Sequence, residues 1–343
     1  MPRDGEDLQR IPDSAAEALR KLLAPLLPHL EREGVTDLVV NRPGEIGVEV
    51  RGHWEWHEEP KLDLRTLEAI CRGLAGHARQ EINERLPICS AVLPDGQRVQ
   101  LLIPPATLPG RVSMTIRKPP HKIWSTDELE EQGFFGAIGA NSVAADDGAL
   151  AELHNAGRWR EFFELAVRIR RNIVISGATG STKTSFARAL MCHIPEHERL
   201  ITGEDTHELV ALPQRNLVHL LYPQDRSQAV AQIGARELMT AALRMRPDRV
   251  IFPELRDGTA YYFLRSVASG HPGVITTVHA NSCDMAWEVL TLLVRESQGA
   301  EGLDRQDIKG LLRQAVDIVA QLKWTPAGPR VLQVELNDRK AQQ

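Results

Sequence analysis

The chain has 343 residues, an ordinary globular composition and a formal charge of -5 at pH 7. That length exceeds what one hydrophobic core usually serves, so two domains are expected. The negative balance excludes a chain drawn as a whole to nucleic acid or anionic lipid, and the isolated Cys71, Cys89, Cys192 and Cys283 exclude a C-x-x-C metal site or a disulfide framework, which fits a reducing compartment.

The opening "MPRDGEDLQRIPDSAAEALRKLL" is acidic and broken by prolines where a secretory leader would be basic and then apolar. No run approaches the ~20 apolar residues that cross a bilayer. A cytosolic chain is expected, with peripheral attachment to a membrane machine left open. Residues 14–33 carry leucines at helical spacing interrupted by Pro25 and Pro28, which predicts one broken or kinked helix. Short β-rich runs then surround "NRPGE", "LRTLEAICRGLAGHA" reads as a helix, "SAVLPDGQRVQLLIPP" as a hairpin and "RVSMTIRKPP" as a further strand. Residues 1–120 are therefore expected to form an α+β domain.

Over 121–150 a Ser/Thr-capped helix gives way to Gly, Ala and Asn, the composition of a linker. From 151 to 343, apolar strands ("NIVISG", "LITGED", "NLVHLLYP", "RVIFPE", "GVITTVHA") alternate with helical segments ("TSFARALMCHI", "SQAVAQIGARELMTAALRM", "TAYYFLRSVASG", "MAWEVLTLLVRES"). That alternation predicts an α/β domain whose mainly parallel sheet is covered on both faces. "AVDIVAQLKW" and "RVLQVEL" flank "PAGP" and predict a terminal hairpin.

The chemistry concentrates at the predicted strand ends, where open α/β sheets bind ligands. "GATGSTKTS" runs from Gly177 through Ala178, Thr179, Gly180, Ser181, Thr182, Lys183 and Thr184 to Ser185, between a strand and a helix. It fits G-x-x-x-x-G-K-[ST] except at Thr182, where glycine is usual. Amide groups in such a loop bind phosphate; Lys183 would reach the β- and γ-phosphates of ATP and Thr184 would ligate Mg²⁺. Thr182 either donates its hydroxyl to phosphate or crowds the pocket, and spacing leaves both open. Glu204 and Asp205 in "ITGEDTHEL" are placed to orient Mg²⁺ and water, Glu254 in "RVIFPELRDG" to polarise the attacking water, and His279 in "GVITTVHANS" to sense the γ-phosphate.

The stretch "LRMRPDRVIFPELRDGTAYYFLRSVASGHPGVITTVHANS" closely resembles the secretion traffic ATPases of bacterial type IV secretion and conjugation systems, and less closely type II secretion and pilus motors. The phosphate loop, acidic box, strand-end glutamate and histidine box follow in that family's order. "VTDLVVNRPGEIGVE", "LPDGQRVQLLIPPAT" and "VSMTIRKP" are similar to its N-terminal segments, so the resemblance spans residues 35 to 335. It implies a RecA-like P-loop ATPase domain, a hexameric ring of like chains at the cytoplasmic face of the inner membrane, and other secretion components as partners. It further implies that Arg98 and Arg117 reach the nucleotide, and that hydrolysis powers substrate export or pilus assembly. Lys183, Glu204, Glu254 and His279 match the family's catalytic positions, and Thr184, Glu204 and Asp205 its Mg²⁺ positions.

Three residues beside this chemistry depart from the family pattern. Thr182 replaces a glycine, Gly203 replaces an apolar strand residue and so leaves nothing to pack, and Pro253 replaces a glycine before Glu254 and could aim it differently. They are compatible with a slow enzyme, with a nucleotide-binding ring that rarely turns over, or with local compensation. The rival readings are a nucleotide-binding ring scaffold with little or no hydrolysis, a nucleic-acid translocase, for which the acidic composition gives no sign of direct binding, and a type II secretion or pilus motor, whose usual tetracysteine motif is missing.

Overall fold

The computed structural model describes residues 13–119, 124–136, 142–223, 229–256, 259–297 and 299–337. The chain divides into two compact units, residues 1–120 with 225–232 and residues 121–224 with 233–343. Residues 137–141 of the expected linker lie outside the described residues.

In the first unit the prolines split the expected helix into α1 (Asp13–Leu22) and α2 (Leu27–Leu30). Pro28 sits in the first turn of α2, where a missing amide proton costs no hydrogen bond. Strands β1 (Val35–Val40), β2 (Glu45–Val50) and β3 (His53–Glu58) precede α3 (Leu64–His77), and β4 (Ile88–Val92), β5 (Arg98–Leu102) and β6 (Ser113–Arg117) follow it. Asp63 starts α3 by accepting a 2.7 Å hydrogen bond from the Thr66 amide. The strands make one sheet in the order β3-β2-β1-β6-β5-β4, antiparallel at every pairing. Leu38, Ile46, Val48, Leu101 and Ile116 meet Leu67, Ile70 and Leu74 of α3 to form its core, joined by Leu19 and Leu23.

The second unit begins with α4 (Thr126–Glu131), closed by a capping box between Ser125 and Glu128. Residues Ser142–Asn155 form helix α5 where the composition suggested a linker, and α6 (Trp159–Arg168) follows. The α6 face carrying Phe162, Phe163, Ala166 and Val167 is buried. Next come β7 (Ile173–Gly177), α7 (Lys183–Met191), β8 (Leu200–Glu204), β9 (Leu217–Leu221), α8 (Ala235–Ala242), β10 (Arg249–Ile251), α9 (Thr259–Ala268) and β11 (Ile275–Val278). The chain closes with α10 (Cys283–Arg295), α11 (Arg305–Ala315) and the hairpin β12 (Ile318–Thr325) and β13 (Gly328–Leu336). Helix α8 is shorter than its apolar pattern, because Gly234 caps it and its amide donates to Glu237 at 2.8 Å.

Strands β10-β8-β9 and β11-β7-β12-β13 form two sheet segments, parallel throughout except at the β12–β13 hairpin. A parallel bridge between Glu254 and Thr277 links them. Every residue of β7 and β8 is buried, as strands covered on both faces must be. The C-terminal ends of β7, β8, β10 and β11 therefore deliver Lys183, Glu204, Glu254 and His279 to the loops that follow them. No helix among the described residues is long and apolar enough to cross a membrane.

Candidate functional site

The loop after β7 is built around a backbone that few residues adopt. Gly180 has φ 76° and Thr182 φ 65°, both left-handed. A β-branched residue there is strained, which is the physical reason glycine is usual at that position. A Cβ on Gly177 would stand 2.4 Å from Ser181 Oγ and 2.9 Å from the Leu322 carbonyl, so the loop closes only over glycine. No side chain caps α7; the Thr182 hydroxyl donates instead to the Ser181 carbonyl at 2.6 Å. The first-turn amides of α7 are thereby left to face an anion.

Ala178, Thr179 and Gly180 are exposed, Thr184 is partly buried and Ser185 exposed, whereas Lys183 is 7% exposed. Its Nζ donates to the Ala178 carbonyl at 3.0 Å and lies 3.3 Å from His279 Nδ1. Burial lowers the Lys183 pKa, opposed by the carboxylate of Glu254. On the other side of the imidazole, His279 Nε2 is 3.1 Å from Glu254 Oε1. Lys183 and Glu254 flank the two ring nitrogens of His279. Lysine, histidine and glutamate from three strand ends thus form one chain.

Glu254 owes its position to pairing across the segment boundary. The Leu255 amide donates to the Thr277 carbonyl, and the Thr277 amide to the Pro253 carbonyl, each at 2.9 Å. Pro253 lacks an amide proton and has a fixed φ, but these bonds use its carbonyl, so the ladder at Glu254 is closed. Gly203 corrects a sequence expectation: the space above it is filled, not vacant. A Cβ there would stand 2.6 Å from Cε1 of Phe252, whose ring is buried to 1% exposure. The bulk missing from β8 is supplied by the residue before Pro253.

Glu204 is spent differently. Its Oε1 accepts from Thr202 Oγ1 at 2.6 Å and pairs with His219 Nδ1 at 2.8 Å, while Oε2 accepts from the amides of Glu208 and Leu209, each at 2.9 Å. Burial pushes its pKa up, and the bonds from His219, Thr202 and the Leu209 amide outweigh burial to bring it to about 2. None of these bonds goes to Lys183, Glu254 or His279. Four partners thus hold the carboxylate that the sequence offers as a Mg²⁺ ligand. Asp205 is paired with Arg256. Sequence reasoning missed Thr202 and His219; the signal was a lone histidine in the apolar strand "NLVHLLYP", which the parallel register sets beside Thr202.

In the first unit, Arg98 and Arg117 stand directly opposite each other in the β5–β6 pairing. Like charges at paired positions destabilise a sheet unless something negative offsets them. Asp37 does so for Arg117, accepting from its Nε at 2.9 Å.

Residues 147–326 match the family described as "Type II/IV secretion system protein". The chain is 41% identical over 331 residues to the type IV secretion system protein VirB11 of Bartonella henselae, covering 93% of this chain and 92% of that one. It is 40% identical over 299 residues to the type IV secretion system protein PtlH of Bordetella pertussis, covering 87% and 88%. Among solved structures it is similar to the VirB11 ATPase of the Brucella suis type IV secretion system, crystallised in complex with sulphate. The TM-score is 0.88 at 36% identity, covering 94% of this chain and 96% of that one.

Proposed function

This chain belongs to the type II/IV secretion system protein family, among the ATPases of type IV secretion, and we propose that it hydrolyses ATP at the β7–α7 loop to drive domain motion for substrate export or pilus assembly. The observation that carries the reading is the line Lys183–His279–Glu254 across three strand ends, beside a helix start that no side chain caps. The residues present fit a nucleotide's phosphates: the loop closes only over Gly177, and Lys183 is buried at its mouth on contacts that an anion would replace.

Lys183 would leave the Ala178 carbonyl for the β- and γ-phosphate oxygens, where its charge offsets the charge that builds up in the transition state. The amides of residues 178–185 hold the phosphates in line for attack. Glu254 orients and deprotonates the attacking water, and His279, released by Lys183, donates to the γ-phosphate or keeps Glu254 in place. The Thr184 hydroxyl would hold Mg²⁺, which would supply charge neutralisation during phosphoryl transfer. Glu204 would hold the segment that carries Asp205, and Asp205, paired with Arg256, would help orient Mg²⁺ and water as an acidic-box carboxylate. Arg98 and Arg117 carry guanidinium groups whose chemistry suits phosphate. The strain at Thr182 weakens nucleotide binding and slows turnover.

The working form is a hexameric ring at the cytoplasmic face of the inner membrane, engaged with other secretion components. Phosphate release by the purified chain tests the reading against Lys183→Ala, which should abolish it. Specific activity should rise with protein concentration as light scattering reports assembly. ATP binding without phosphate release at any concentration would replace the motor with a nucleotide-dependent scaffold.

A further inference from the structure

A second cluster in the same unit offers chemistry beyond the part that Glu204 has in the ATPase reading. Glu204 ends β8, His207 sits in the turn that follows, and His219 lies on the neighbouring strand β9. One ligand atom from each of the three lies within 4.8 Å of the others. Two features mark the cluster as more than an ordinary ion pair. The first is that His207 Nδ1 is shielded from solvent with no hydrogen-bond partner, 3.6 Å from Glu204 Oε2. An unpartnered buried nitrogen is a cost the fold would not carry for packing alone. The second is spacing. Ligand atoms about 2.1 Å from a tetrahedral zinc stand roughly 3.4 Å apart, and each carboxylate oxygen of Glu204 faces one imidazole, Oε1 at 2.8 Å from His219 Nδ1 and Oε2 at 3.6 Å from His207 Nδ1.

We propose that Glu204, His207 and His219 form a binding site for a zinc-class divalent cation, distinct in its ligands from the Mg²⁺ that accompanies nucleotide at Thr184. One carboxylate oxygen and the Nδ1 atoms of two imidazoles make a set that selects zinc or cobalt over the oxygen-seeking Mg²⁺. The cation takes the place of the proton between His219 Nδ1 and Glu204, and the neutral imidazole keeps its single ring proton on Nε2. His207, whose side chain is 27% exposed, provides the entry path and leaves the fourth position to water. The supporting shell exists already: the amides of Glu208 and Leu209 and the hydroxyl of Thr202 fix the carboxylate. Occupancy would clamp the end of β8, the turn after it and β9 into one unit.

The test uses the full chain, stripped with a chelator and kept in millimolar Mg²⁺. Cobalt(II) is titrated while visible d–d absorption is followed, zinc is then added in competition, and melting is recorded with and without zinc. One equivalent of cobalt with tetrahedral bands, displaced by zinc, and a higher melting temperature with zinc are expected. His207→Gln should weaken binding at least tenfold while the metal-free melting temperature stays put, since that side chain makes no hydrogen bond to lose. His219→Gln should also abolish the bands. His193→Gln, which alters an exposed histidine next to exposed Cys192, should change nothing. No saturable binding by the unaltered chain, full binding by His207→Gln, or loss of binding in His193→Gln would overturn the site.

Discussion

Glu204 and Glu254 lie at the C-terminal ends of neighbouring parallel strands, yet their carboxylates are put to opposite uses. Glu204 has a side chain with no exposure and is gripped by a hydroxyl, an imidazole and two amides. Glu254 is 31% exposed and has one imidazole beside it. A strand end in an open sheet therefore supplies either a rigid anchor or a reactive group, and the number of donors around the carboxylate decides which. The first can be deleted only at the expense of the fold. The second can be deleted only at the expense of the chemistry.

The widest separation between the two should appear in rate. Glu254→Gln keeps shape and the His279 contact but removes the base, so phosphate release should fall ~10²–10⁴-fold with an unchanged melting temperature. A variant retaining more than about a tenth of the rate would move the water-activating role elsewhere.

Glu204→Ala should do the reverse, stranding His219 and two amides at a cost of about 2–4 kcal/mol in denaturant unfolding. The same carboxylate carries a pH signature. Its pKa falls from 4.5 when unfolded to about 2 when folded. The stabilisation, on the order of 3 kcal/mol, is complete above pH 4.5 and is lost as pH drops through that window toward 2. Glu204→Gln should flatten the stability curve over that range. An equally steep curve would place the acid sensitivity on another group.

A smaller effect should mark the packing beneath the two glutamates. Gly203→Val drives a side chain into Phe252 and should cost about 1–3 kcal/mol. Phe252→Leu in the same chain should recover most of it, because the ring and the missing Cβ share one space. Additive losses in that double-mutant cycle would separate the two residues.

The same contrast explains what the sequence made legible. The alternation of buried strands with helices is written in continuous apolar runs, so the parallel sheet, the hairpins and the loop after β7 could be read directly. The residues that meet across strands could not. The pairing of Thr202 with His219, and the fit of Phe252 over Gly203, depend on register and on a ring's direction, which no single segment encodes. Helix α5 was misread because Gly, Ala, Asn and Asp suggest a loop when taken residue by residue, whereas a helix docked on a neighbour overrides weak propensity. At Pro253 the lost donor is legible in the sequence, whereas the use of its carbonyl by the Thr277 amide depends on strand pairing.

The smallest effect belongs to Thr182, where backbone and not side chain is at issue. A left-handed φ of 65° on a β-branched residue costs on the order of 1–3 kcal/mol, and its hydroxyl is turned to the Ser181 carbonyl at 2.6 Å. Thr182→Gly removes the strain and also frees the unfolded chain, a loss of roughly 0.5–1 kcal/mol. The two nearly cancel in melting temperature, so a gain of about 1 kcal/mol or less is expected there. Nucleotide binding should be the clearer readout, because the loop without a Cβ can approach phosphate, and a titration with a nonhydrolysable ATP analogue should show several-fold tighter binding for the glycine variant. If the unaltered chain binds as tightly or more tightly, the threonine hydroxyl has turned from Ser181 to the phosphate, and the residue that departs from the family pattern is a ligand in its own right.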